Sequence, residues 1–258
     1  KNTIITKAGA GTNEEGAGGG TGVGASFALL TLNSKSVAAV KDVQVNAESL
    51  KVLAEAVSEL ETRSITGGKG EAAAEPAEPA VAEANKKEIS VGLTVAVINS
   101  EVAATIGSGA EVTTAGELTL DAKSDIASTV QSGAAAEATD LAVGASILVN
   151  VINSATEANL GGKIAAGDIT VSAADTANQS LTASGGGSGA SGAYIAVAVI
   201  NQSSAAAVEG STEIEGSSLS VTSTQNNTTT VTAVSASIST PVRPITRAVA
   251  VTSTPGSA

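Results

Sequence analysis

The chain has 258 residues, 25 acidic against 13 basic for a net charge of −12, and one Phe, one Tyr and no Trp, Met, Cys or His. This acidity with almost no stacking aromatics argues against nucleic-acid binding. The lack of His and Cys removes Ser-His-Asp and Cys-His nucleophilic sites and the conventional zinc and copper sites. A core without aromatics has to be built from Val, Ile, Leu and Ala, which suits a narrow interior rather than an ordinary globular one.

The chain opens on Lys1-Asn2-Thr3-Ile4, with neither an initiator Met nor an apolar h-region, so it reads as a processed product or a piece of something longer. No apolar run approaches the ~20 residues a membrane helix needs. GAGGGTGVG at 16–24 and GGGSGASG at 185–192 are Gly-rich but contain no Gly-Lys-Ser/Thr step. Both lie just before the opening strand of a repeat, so they read as close packing at a corner, not as phosphate loops.

The repeat itself is a small residue, an alternating apolar run and then Asn: GASFALLTLN at 24–33, SVGLTVAVIN at 90–99, GASILVNVIN at 144–153 and GAYIAVAVIN at 192–201. After Asn33, Asn99, Asn153 and Asn201 come Ala38, Ala104, Ala158 and Ala206, then Val40, Ile106, Leu160 and Val208. Successive asparagines are 66, 54 and 48 residues apart, a unit of about 50 residues with insertions in the early copies. Within each phrase the period-two pattern predicts a strand buried on one side. The predicted inward set is Phe27/Leu29/Thr31, Leu93/Val95/Val97, Ile147/Val149/Val151 and Ile195/Val197/Val199, with Tyr194 outside. Leu32, Ile98, Ile152 and Ile200 then break the alternation, which predicts a bulge or corner at each Asn. If those corners lie on neighbouring layers, the asparagine amides stack.

A second strand follows each corner. A third is LKVLAEA at 50–56, LTLDAKS at 118–124, ITVSAAD at 169–175 and LSVTSTQ at 219–225, with Leu50/Val52/Ala54 and their equivalents inward. A fourth segment closes the unit at 126–134, 178–186 and 228–237. SLKVLAEAVSELE also fits a helix, but alignment with the other copies favours a strand over 50–54. The first repeat carries an Ala/Glu/Pro-rich insertion at about 57–88, whose Pro76 and Pro79 exclude a continuous helix or strand. It reads as a solvated flap. The prediction is an all-β, right-handed parallel β-helix: a single domain over 1–240 made of four repeats, each giving two coils of about 22–27 residues, roughly ten coils in all. The reading, and the fibre inference with it, rests on Ile147, Val149 and Val151 lying inside a thin aliphatic seam and not facing solvent. Residues 241–258, with Pro241, Arg243, Pro244 and Arg247, leave the pattern and read as a linker, a cap or a strand donated to a neighbour.

For chemistry, two carboxylate pairs come into view, Glu213 with Glu215 and Asp121 with Asp125. Acids two apart on a strand share a face, as polysaccharide-cleaving β-helices require, but solvated surface acids explain them equally well, and few residues are present to hold a sugar. Calcium-binding GGxGxD repeats are absent. Thr228, Thr229, Thr230 and Thr232 suggest an ice-binding face, but outward positions change between Thr, Lys, Asp, Ser and Glu from copy to copy. No catalytic, cofactor-binding or metal-binding residue is therefore assigned, no cofactor is expected, and the chain is read as not an enzyme.

Val143–Asn153, Thr156–Leu160 and Gly167–Ala173, with weaker copies over about 20–240, resemble the repeat regions of large bacterial filamentous adhesins of the filamentous-haemagglutinin-like and leukotoxin-like kind. The resemblance implies an exported protein, extracellular or on the bacterial cell surface, that forms a stalk or filament. End-to-end self-association is expected, with 1–15 or 240–258 completing a neighbour's coil. The alternative is an adhesive module that binds host or microbial glycans or proteins through the 57–88 insertion.

Overall fold

The computed structural model describes residues 2–10, 21–66, 87–136, 141–186, 190–210, 212–236 and 245–253. They form fourteen strands: β1 (Asn2–Ala10), β2 (Thr21–Val40), β3 (Gln44–Ala47), β4 (Leu50–Thr66), β5 (Lys87–Ile106), β6 (Glu111–Thr114), β7 (Leu118–Ala135), β8 (Leu141–Leu160), β9 (Lys163–Ala165), β10 (Asp168–Gly186), β11 (Ala190–Val208), β12 (Glu213–Glu215), β13 (Ser218–Ala236) and β14 (Ile245–Ser253). Every pairing is parallel. Three sheets result, in the orders β1-β4-β7-β10-β13, β14-β11-β8-β5-β2 and β12-β9-β6-β3. This is a parallel β-helix solenoid in which each coil is a long strand, a short strand and a second long strand.

One repeat makes one coil, not two. Asn33 pairs with Asn99, Asn99 with Asn153 and Asn153 with Asn201 on directly adjacent strands. The described strands therefore make four full coils, flanked by β1 and β14, in place of the ten expected. The reason is strand length: β2, β5, β8 and β11 run 19–20 residues straight through the asparagines. No corner interrupts them there. The expected third and fourth segments are likewise single strands, β7, β10 and β13. The turns lie elsewhere, around 41–43, 107–110, 161–162 and 209–210, where Gly107 N–H donates to Val40 O at 2.8 Å and Gly161 N–H to Ile106 O at 2.6 Å. At one of them Gly162 has φ +86°, and a Cβ there would sit 2.2 Å from Ala110 O. Only glycine fits.

The second correction concerns phase. Ile147, Val149 and Val151 face outward, as do Phe27, Leu29, Val95 and Val197; Phe27 is 56% and Ile147 39% exposed. The inner face carries the alternate residues, among them Leu30, Ala96, Leu148, Ile98, Ile152 and Ile200. Without a bulge at Asn the alternation continues unbroken, so Leu32, Ile98, Ile152 and Ile200 share the inward phase of Val40, Ile106, Leu160 and Val208. Tyr194, expected outside, is only 1% exposed. Glycines make room for it: a Cβ on Gly185 would lie 2.1 Å from the Tyr194 ring, and one on Gly192 2.4 Å from its hydroxyl. The layered architecture survives because the pairing, not the phase, defines the layers.

The expectation for β4, β7 and β10 was correct: Val52, Leu118, Leu120, Ile169 and Val171 are buried, and Leu50 is partly so, whereas on β13 Leu219 and Val221 keep the register of Ile169 and Val171 but are exposed. The segment at 50–66 is a strand throughout. Two aliphatic clusters fill the interior. One lies where the short sheet joins (Val102, Ile106, Val112, Leu118, Leu160, Ile164, Ile169), the other between the far halves of the long sheets (Leu60, Ile98, Ile126, Leu148, Leu181, Ile200).

Of the expected 57–88 insertion, residues 57–66 belong to β4 and 87–88 to β5, while 67–86 lie outside the described residues. Of the 241–258 tail, residues 245–253 stay within the pattern, and 241–244 and 254–258 lie outside the described residues. β14 stacks on β11 of its own chain, with Ala196-Val197-Ala198-Val199 opposite Ala248-Val249-Ala250-Val251. At the other end, β1 pairs with β4 through Asn2↔Ser58 to Ala10↔Thr66. Both terminal stretches thus occupy coils of the same molecule, where donation to a neighbour was expected.

The phase has a direct test in neighbouring substitutions. Leu148→Asp buries an unpaired carboxylate and should cost several kcal/mol, about 3 or more. Val149→Asp, one residue on, should cost about 1 kcal/mol or less in the folded chain. Urea unfolding of the two variants, followed by circular dichroism, reads the difference.

Candidate interaction surface

The outer face of the β2–β5–β8–β11 sheet has two zones. One is the asparagine column. Asn99 Nδ2 donates to Asn33 Oδ1, Asn153 Nδ2 to Asn99 Oδ1 and Asn201 Nδ2 to Asn153 Oδ1, each at 2.8 Å. In-register parallel strands repeat at ~4.8 Å, which lets identical amides stack head to tail. Asn99, Asn153 and Asn201 each spend one of two amide N–H donors in the ladder, while Asn33 only accepts. The ladder lines a shallow groove of about 500 Å³ with Lys35 and Glu101, which pair at 2.6 Å. The other zone, running back toward the strand starts, is aliphatic and contains Phe27.

The acids singled out from the sequence do not converge. Glu213 and Glu215 both stand exposed on β12, sharing a groove of about 390 Å³ with Glu111 and Lys163. Glu213 sits 4.0 Å from Lys163, its partner in register on the next coil. Asp121 and Asp125 share the outer face of β7 but are four residues apart, about 13 Å along a strand. That exceeds the spacing at which two carboxylates cooperate on a glycosidic bond. Asp121 accepts a hydrogen bond from Ser172 Oγ at 2.7 Å instead. Among the described residues no three of His, Cys, Asp or Glu gather to hold a metal ion. The register gives no continuous threonine ladder: Thr228 and Thr230 lie opposite Asn178 and Ser180, Thr229 accepts from Gln179 Nε2 at 3.2 Å, and Thr232 meets Thr182, whose next neighbour is Gln131. Of the Gly-rich stretches, 21–24 lies in β2, 185–186 in β10 and 190–192 in β11. Residues 16–20 and 187–189 lie outside the described residues. Among the described residues no helix is long and apolar enough to cross a membrane.

Sequence reasoning missed the polar columns inside the solenoid. Asn150 is fully buried and donates to Gln179 Oε1 at 2.8 Å and to Ser128 Oγ at 3.2 Å. A second column runs Ser100–Ser124–Ser154–Asp175, ending in Ser154 Oγ donating to Asp175 Oδ1 at 2.9 Å. Asp175 is 1% exposed. Burial pushes its carboxyl above the usual carboxylate range, with the Ser154 hydrogen bond acting the other way. Among the described residues Asp175 Oδ2 and Gln202 Oε1 are buried acceptors without a donor. A proton on Asp175 turns one of these two acceptors into a donor. The available signal was the inward phase of Asp175, which continues Ile169, Val171 and Ala173.

Two outcomes follow from these columns. Because the folded pKa of Asp175 lies above the unfolded value near 3.8, the folded chain holds the proton longer. This contribution to stability is complete below that value and is lost as pH rises through the folded pKa. Asp175→Asn should flatten that slope and stabilise the chain at neutral pH, as read by thermal unfolding across pH. Asn153→Ala breaks two half-exposed ladder bonds and should cost about 1 kcal/mol without changing the fold, measured by urea unfolding.

Compared with family models, curated proteins and solved structures, this chain matches none of them.

Proposed function

We propose that this chain is a structural segment of a stalk or filament of an exported bacterial surface protein, and that it stacks end to end. The observation that carries this reading is the open face of the last coil. Ile214, Leu219 and Val221 are 37%, 47% and 43% exposed, whereas Ile164, Ile169 and Val171, their partners in register one coil below, are buried. Another coil of the same shape would bury all three and pair the edges of β12 and β13, which among the described residues have a partner on one side only. Unpaired parallel edges of this length recruit further strands.

The dimensions favour continuation. Four coils at ~4.8 Å span only about 19 Å along the axis. Reach needs many coils, whether from stacked copies or from further repeats of one chain, and the parallel ladders along the axis would make such a stack stiff. The adhesin resemblance points the same way on location, at a cell surface or outside the cell. No role as an enzyme is proposed.

The test is length. Negative-stain electron microscopy and sedimentation velocity should show rods that lengthen with protein concentration. Leu219→Asp with Val221→Asp, at an end already open, should leave the strand signal intact and stop the lengthening. Wild-type particles of one constant length at every concentration would contradict the proposal.

A further inference from the structure

The aliphatic zone of the long sheet is an outer surface with the composition of an interior. Along outward positions 23–33, 89–99, 141–153 and 193–201 there is no charged residue, and all but Thr31 and the ladder asparagines are apolar. Phe27, Leu29, Val95, Ile147, Val149 and Val197 are representative, with Val23 at 66% exposed. The opposite long sheet is the reverse: its outer face carries Lys51, Glu55, Glu59, Asp121, Lys123 and Asp125. Four strands at ~4.8 Å by eight residues at ~3.3 Å give a flat patch of about 500 Å². That lies at the upper end of what a monomer exposes.

We propose that this face is a lateral pairing surface on which a second copy of the same chain lies face to face. Two such faces remove about 1,000 Å² of flat apolar area, near the minimum for a specific interface, before side-chain relief is counted. A pair related by a two-fold axis sets the same patch against itself. The columns of Val, Ile and Leu repeat at the coil spacing on both copies, so their ridges interdigitate as in packed sheets, about 10 Å apart. Charge selects the same partner. A chain of net charge −12 repels its own copies at its acidic faces, and this neutral face is where they approach without that cost.

The chain's other segments make poor covers. Residues 67–86 carry four Glu, two Lys and a single Val, and 11–20 are mostly Gly with two Glu. An anionic bilayer is disfavoured by the same net charge. Lateral pairing is independent of end-to-end stacking: one uses the side of the solenoid, the other its ends.

Sedimentation equilibrium of the full chain tests the proposal. The wild type should be dimeric, and Val149→Asp should raise the dissociation constant at least about tenfold. Thr170→Asp, on the opposite outer face, should leave it unchanged, with identical circular dichroism in all three. Because the chain has no Cys, Val149→Cys supplies a second reading that does not depend on a charged variant folding. That thiol lies near the centre of the face and should be cross-linked to its copy by a short bis-maleimide, while Thr170→Cys should not. If the chain also forms filaments, their mass per length should be twice that of a single file of coils. A wild-type monomer at high micromolar concentration, single-file filaments, or a monomer that instead floats with phosphatidylcholine vesicles would overturn the proposal.

Discussion

Parallel pairing of each repeat with the next, residue onto equivalent residue, is the constraint on which the structure depends. It places like on like at ~4.8 Å, and whether that stabilises or repels depends on the side chain. Asparagine gains, because one amide can donate and accept along the stack. Aliphatic columns gain by contact. Charges lose unless the sign changes from coil to coil, as it does where Glu55 faces Lys123, Lys35 faces Glu101 and Lys163 faces Glu213, while Lys7 reaches diagonally to Glu61 at 4.0 Å. Within the described ladders one like-charge pair is set side by side, Lys7 opposite Arg63 on the first layer. Each exposed pair is worth little by itself. Their joint effect is to penalise any slip of register.

The same constraint explains an interior more polar than a core usually is. Between the long sheets, small residues and hydrogen-bonded columns alternate with Leu and Ile. Ser, Thr, Asn and Gln are tolerated there because a partner on the opposite sheet or the next coil recurs at a fixed spacing, as Asn150 finds Ser128 and Gln179. Satisfaction is incomplete: among the described residues Asn150 Oδ1, Gln202 Oε1, Asp175 Oδ2 and the Thr62 and Ser90 hydroxyls are among the buried atoms without a partner, and at Asp175 protonation relieves it. Bulky β-branched residues suit the pleated outer surface, and on one sheet they gather there into the neutral face that invites a second copy.

The repeat, the parallel solenoid and the strand character of 50–54 were all legible in the residues. Two features were not read correctly, and both turn on the asparagine. A corner was inferred there to reconcile an apolar set before it with Leu32, Ile98, Ile152 and Ile200. Yet Lys35, Glu101 and Glu157 share the parity of Asn33, Asn99 and Asn153, and so of Phe27, Val95 and Val149. Read without a break, those charges put that parity outside. The rule that the more apolar face is buried failed because this sheet has two apolar faces. The β14 copy was also readable in Ala248-Val249-Ala250-Val251, but Arg247, Thr252 and Ser253 disguise the phrase. The short strands β3, β6, β9 and β12, at three or four residues, are too brief for any periodicity to mark them.

The claim that one repeat is one coil can be measured as a distance. Thr31 and Val199 occupy equivalent outward positions on the first and last full coils. Spin labels on Thr31→Cys and Val199→Cys, diluted with unlabelled chain to remove contacts between copies, should lie about 14 Å apart, three strand spacings. A separation near 29 Å would mean two coils to each repeat and would contradict the account.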